Sequence, residues 1–182
     1  MLFGLKMPGM FSIERLQADM ELDLMKIKLL VVDDEKKFVD VLSKRLELQG
    51  FEVVTALNGE EAAQMVKKQD FDVVILDLLM PGRTGIETLK EIGEINPLIH
   101  VIMLTGHAGI DKAIEGMELG AYDYLIKPAE INELVEKIRL ANTHKAAMEN
   151  RIRQTKKTAG VGRQGRNKWL TSIAKLFRSG PK

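Results

Sequence analysis

Cysteine is absent from this 182-residue chain. That gap removes three classes of answer: a disulfide-stapled scaffold, a thiolate metal centre and a cysteine nucleophile. It agrees with a reducing compartment. No run of about 18 apolar residues occurs, so no helix is expected to span a membrane. The opening "MLFGLKMPGMF" is apolar but broken by Lys6, Pro8 and Gly9. It lacks the charged-then-apolar order and small-residue cleavage site of a secretory signal. These absences predict a cytoplasmic protein. Acids are nearly absent from one stretch: residues 141–182 hold 11 Lys/Arg and one acid, Glu149, a balance of +10. Residues 27–140 hold 13 Lys/Arg and 21 Asp/Glu, a balance of −8. An acidic body with a basic tail predicts two segments with different tasks.

What is present suits a globular domain: 45% of residues are hydrophobic, enough for a real core. From Lys26 to about Ala141 two textures alternate. Short β-branched runs, "IKLLVV", "FEVVTAL", "FDVVILDL", "LIHVIML" and "YDYLIK", predict strands at 27–32, 51–56, 72–77, 99–104 and 122–126. Between them apolar residues fall three and four apart, predicting helices near 35–49, 59–69, 85–94, 110–119 and from 130 onward. Gly50 and Gly120 stand where two of these helices stop, in the place where glycine takes a left-handed conformation cheaply. Five strand–helix units predict an α/β, doubly wound domain with a parallel sheet. The first and third strands are apolar throughout, as expected when helices cover both faces.

In such a domain ligands bind beyond the carboxyl ends of the strands. The residues there are Asp33-Asp34 after the first strand, Asp77 after the third, Thr105-Gly106 after the fourth and Lys127-Pro128 after the fifth. Asp77 follows "VVIL", where a charge is costly without partners. Three converging carboxylates need a proton or a cation to relieve their repulsion. Hard oxygen ligands suit Mg²⁺. A carboxylate beside a divalent ion, a lysine and a hydroxyl makes a sound phosphoryl acceptor. Each residue also has a plainer reading: Asp33-Asp34 as a helix cap, Thr105 as an ordinary strand end, Lys127 as a solvated lysine, Tyr124 as packing. Their coincidence at four strand ends is what the plainer readings do not explain.

The segments "LLVVDDE", "DVVILDLLMPGRTG", "VIMLTGHA" and "AYDYLIKPA" resemble, in order, the receiver domain of two-component response regulators, over residues 27–140. The resemblance implies a flavodoxin-like (βα)5 three-layer sandwich with a five-stranded sheet in the order 2-1-3-4-5. It implies Asp77 as phosphoacceptor, with Mg²⁺ held by Asp33, Asp34, Asp77 and the backbone carbonyl of Leu79. Lys127 would pair with the phosphoryl group, Thr105 would hydrogen-bond to it, and Tyr124 would be the aromatic switch that turns inward. A histidine kinase or phosphotransfer protein would be the donor. Such a protein is a switch that assists its own phosphorylation and dephosphorylation rather than a turnover enzyme. A Mg²⁺-dependent phosphatase of similar layout would need an acid two positions after the nucleophile, where Leu79 stands. His107 lies near the site as an exposed loop residue, and His100 and His144 show no site context in the sequence.

The expected organisation is an N-terminal extension (1–25), the receiver (26–141) and a basic C-terminal tail (142–182). Residues 1–24 are either a true extension or the product of an upstream start, because "MKIKLLVVDD" already reads as a receiver start. In the tail, Ile131, Leu134, Ile138, Ala141, Lys145, Met148 and Ile152 step by three and four, a heptad-like seam marred by Lys145. It predicts either a homodimer through the fifth helix or a lone helix in solvent. "KKTAGVGRQGRNK" reads as a basic linker. In "NKWLTSIAKLFRSGPK", Trp169, Leu170, Ile173, Leu176 and Phe177 share one helical face flanked by Lys168, Lys175 and Arg178. Residues 167–178 thus predict contact with an acidic partner or a membrane surface, or packing back on the receiver. Nucleic-acid binding by this tail, as in a transcriptional regulator, stands behind these.

Overall fold

A computed structural model describes residues 27–158, with side chains to residue 155. The expected N-terminal extension and the basic segment 167–178 lie outside the described residues.

The chain runs β1 (Lys28–Val32), α1 (Lys36–Leu48), β2 (Glu52–Ala56), α2 (Gly59–Lys68), β3 (Val73–Leu76), α3 (Gly85–Ile95), β4 (His100–Thr105), α4 (Ile110–Glu118), β5 (Asp123–Ile126) and α5 (Ile131–Thr158). One 3₁₀ turn, His107–Gly109, leads into α4. All strand pairs are parallel, and the sheet order is β2-β1-β3-β4-β5. Order reverses between β1 and β3, which places a crevice there.

Alternate residues of each central strand serve opposite faces. Leu30, Val32, Val74, Leu76, Val101 and Met103 meet α2, α3 and α4 on one side. Leu29, Val31, Val73, Ile75, Ile102 and Leu104 meet α1 and α5 on the other. This two-sided burial is why "LLVV" and "VVIL" carry no polar alternation. Helix boundaries have local causes. Thr84 and Glu87 form a reciprocal capping box at the start of α3, and Asn58 caps α2 through the Glu61 N–H. Gly50 and Gly120 adopt φ of 90° and 97°, as their positions predict.

The long helix corrects one expectation. Leu134, Ile138, Ala141 and Lys145, the middle of the heptad-like seam, are buried in this chain's own body. Lys145 belongs there: its Nζ donates to the Phe71 carbonyl at 2.9 Å and to Asp72 Oδ1 at 2.7 Å. Met148 and Ile152, further along the seam, are half-buried. Among the described residues no helix is long and apolar enough to cross a membrane.

Candidate functional site

Register assembles the site. Val32 of β1 pairs with Leu76 of β3, so the next residues, Asp33 and Asp77, leave the sheet side by side. The Asp77 N–H donates to the Val32 carbonyl at 2.9 Å, and the Lys127 N–H to the Thr105 carbonyl at 2.7 Å. β3 therefore ends one residue before Asp77, and β4 includes Thr105, a small shift from the predicted bounds. The Lys127–Pro128 peptide is cis. Gly85, opening α3, lies so close to the Asp77 carbonyl that a Cβ there would stand 2.3 Å from the oxygen. The absence of a side chain lets α3 seat against the loop.

The side chains converge as the residue types require. Asp33 and Asp77 are buried, at 3% and 6% exposure, so their charges need compensation. Lys127 supplies it: its Nζ is ion-paired with Asp33 Oδ2 and lies 3.3 Å from Asp77 Oδ1. The ammonium also stands 4.4 Å from the centre of the Phe38 ring on α1, a cation–π contact that the sequence alone did not reveal. Asp33 Oδ1 accepts the Glu35 N–H at 2.9 Å. That turn is all that remains of the helix-cap reading, because Glu35 is the N-cap of α1 and no side chain caps it.

Burial pushes the Asp77 carboxyl above its ordinary range. Lys127 opposes the shift, the Asp33 charge adds to it, and a hydrogen bond from the Leu79 amide opposes it again. Asp33, Asp34 and Asp77 offer carboxylate oxygens that all lie within 4.8 Å of one another. Three carboxylates face one ammonium, leaving negative charge uncompensated. An all-oxygen set with excess negative charge and an exposed member, Asp34, fits a hard divalent cation such as Mg²⁺.

Thr105 is fully buried at the end of β4, and its Oγ1 has no hydrogen-bond partner among the described residues. Tyr124, on β5 beside Met103, is 37% exposed, so its ring stands outward. His107 is exposed in the 3₁₀ turn. Sequence reasoning missed what His100 and His144 do. His100 Nε2 and His144 Nδ1 are 2.8 Å apart, and both rings pack on Tyr122. This cluster lies at the start of β4, the opposite pole from Asp77. The signal available was weak, because the two histidines are 44 positions apart.

Comparisons with known proteins agree with this geometry. The family model described as response regulator receiver domain matches residues 29–139. The transcriptional regulatory protein ZraR of Klebsiella oxytoca is 37% identical over 130 residues, covering 71% of this chain and 29% of that protein. A CpxR homologue of Haemophilus influenzae, also a transcriptional regulatory protein, is 42% identical over 125 residues, covering 69% of this chain and 54% of its own. The chain thus matches only part of the length of these curated relatives. A receiver domain structure from Clostridium thermocellum superposes with a TM-score of 0.65 at 38% identity, covering 67% of this chain and 98% of that one. The Asp-rich rim, the 2-1-3-4-5 sheet and these matches lead to one conclusion: the chain belongs to the response regulator receiver domain family.

Proposed function

We propose that this chain is a phosphoacceptor switch in a two-component phosphorelay, with Asp77 as the residue that is phosphorylated. The observation that carries the reading is the placement of Asp77: buried one residue past β3, with the Lys127 ammonium at 3.3 Å and two further carboxylates at hand. The donor is a phosphohistidine on a sensor kinase or phosphotransfer protein. A carboxylate oxygen of Asp77 attacks phosphorus, the P–N bond breaks, and the imidazole nitrogen keeps the electron pair. The product is an acyl phosphate. Attack of water on phosphorus then breaks the new O–P bond and returns the carboxylate and inorganic phosphate.

Each residue has a part. Asp33, Asp34, Asp77 and the Leu79 carbonyl would hold Mg²⁺, which when bound offsets charge on the phosphoryl oxygens. Lys127 would move its pairing from Asp77 to the phosphoryl group. Thr105 would give its unpaired hydroxyl to a phosphoryl oxygen, and Tyr124 would turn inward behind it. The α4–β5–α5 surface then differs between the two states and is read by a partner protein. The chain acts as a switch and not as an enzyme turning over a metabolite, and its place is the cytoplasm. Self-association through α5 would have to use the side that the fold leaves exposed, where Leu140 stands, because the middle of the seam is taken by the sheet.

A second reading, transcriptional regulation through the basic tail, draws support from the relatives named as transcriptional regulatory proteins and from the +10 balance of residues 141–182. Binding of that kind would be sequence-blind and would weaken steeply with salt.

The test is phosphorylation by a small phosphodonor with Mg²⁺. The wild type is expected to gain an acid-stable, base-labile phosphoryl group that Asp77→Ala and chelator both prevent. A wild type that gains none overturns the reading.

A further inference from the structure

Two residues on the β4–α4 connection fit one another in a way the phosphoacceptor reading does not require. The Thr105 hydroxyl is buried and unpaired among the described residues. The space it occupies is bounded by Gly109. A Cβ built on Gly109 would stand 2.2 Å from Thr105 Oγ1, 3.2 Å from its Cβ and 3.3 Å from its Cγ2. All three nearest atoms belong to Thr105.

Backbone conformation does not call for this glycine. Gly109 has φ −102° and ψ 7°, a region open to residues with side chains. Its amide donates to the Gly106 carbonyl at 2.9 Å, a bond that alanine would keep. Glycine at a position whose backbone alanine could adopt raises the entropy lost on folding. What glycine provides in return is room for the Thr105 hydroxyl.

We infer that Gly109 is a positioning residue: its missing side chain is a berth that holds the Thr105 hydroxyl out of hydrogen-bonding reach of Asp77 in the unphosphorylated protein. The berth is an incomplete resting place, because it gives the hydroxyl volume but no acceptor. A buried hydroxyl without an acceptor is poised to leave when a phosphoryl oxygen presents itself. Gly109 therefore sets how much of the resting population already has the hydroxyl turned towards the site. The apparent affinity for a phosphoryl group scales with that competent fraction. This inference rests on the role proposed for Thr105 and adds the residue that biases it.

The experiment uses the full chain and beryllofluoride with Mg²⁺ as the phosphoryl mimic. Gly109→Ala closes the berth and is expected to lower the half-saturating concentration of the mimic by about threefold or more. In a Thr105→Ala background the same substitution is expected to change nothing, because the coupling runs through Thr105 alone. No gain in affinity, or an equal gain in both backgrounds, overturns the inference. The Thr105 χ1 rotamer is measured without the mimic, by three-bond NMR couplings to Cγ2. It is expected to shift in Gly109→Ala, and an unchanged rotamer also overturns the inference. If the wild type binds no mimic, the phosphoacceptor reading fails, and the rotamer alone decides the berth. If Gly109→Ala does not fold, Thr105→Val decides instead. A methyl group in the berth should raise the Tm of the unphosphorylated protein, and a lowered Tm means the hydroxyl is satisfied there.

Discussion

Asp77 is held in an environment that a structural residue would avoid. It shares one ammonium with Asp33, both carboxylates are buried, and burial with the Asp33 charge pushes its carboxyl upward against the pull of Lys127. Removing one charge should therefore relieve the fold. Asp77→Asn is expected to stabilise the metal-free protein by roughly 1 kcal/mol, a few degrees in Tm. Lys127→Ala is expected to do the reverse, costing about 3 kcal/mol, because it strands two buried carboxylates. Urea unfolding of the two variants in chelator checks both signs. Equal destabilisation by both would mean that Asp77 serves the fold as a partner of Lys127. The position of Asp77 was legible in the sequence because a carboxylate ending an apolar run has few cheap explanations. The Phe38 ring under Lys127 was not, because its helical spacing reads as ordinary core and the contact joins residues far apart in the chain.

α5 is the element where sequence pattern and structure part. Counting apolar positions three and four apart finds the stripe correctly but not what it faces. Leu134, Ile138 and Ala141 face the sheet, and Lys145 continues the stripe by laying its stem inward and giving its ammonium to Phe71 and Asp72. A polarity count marks that lysine as an interruption, whereas the fold uses it as an anchor. The same turn carries His144 against His100. Burial lowers the pKa of His100; the hydrogen bond to the Leu98 carbonyl opposes this, and the neighbouring His144 and Lys145 charges add to it. The folded chain thus keeps His100 neutral where the unfolded chain takes up a proton. The stability this represents is present above the unfolded value of about 6.5 and is lost as pH falls below it. Stability should drop between pH 7.5 and 5.5 more steeply in the wild type than in His100→Asn, by at most about 1.4 kcal/mol per pH unit. Parallel urea midpoints for the two proteins across that range would show that His100 titrates as it does in the unfolded chain.

At the scale of the molecule the charge is divided, −8 over residues 27–140 and +10 over 141–182. Opposite charge on one chain favours contact between its parts and weakens with salt. A chain shortened to end at Lys157 separates the readings of the tail. Liposome co-sedimentation with anionic lipid is expected to be the same for the full and shortened chains if the tail serves a protein partner. Full-length binding that is lost on shortening would move the output to a lipid surface. The receiver itself was legible because its sheet is built from short, uniformly apolar runs, each ending in a polar signature. The output was not, since a basic amphipathic segment has the same composition whether it meets an acidic groove, a headgroup or a phosphate backbone.

The long fifth helix also has a mechanical meaning. It starts at Ile131, close behind Lys127, and its 28 residues span about 42 Å. It is clamped near mid-length by Lys145, with the His100–His144 pair beside the clamp. That makes it a strut: its first half is fixed on the sheet through Leu134, Ile138 and Ala141, and Lys145 ties it down at the pole opposite Asp77, so the direction in which the helix leaves the body is set by the sheet.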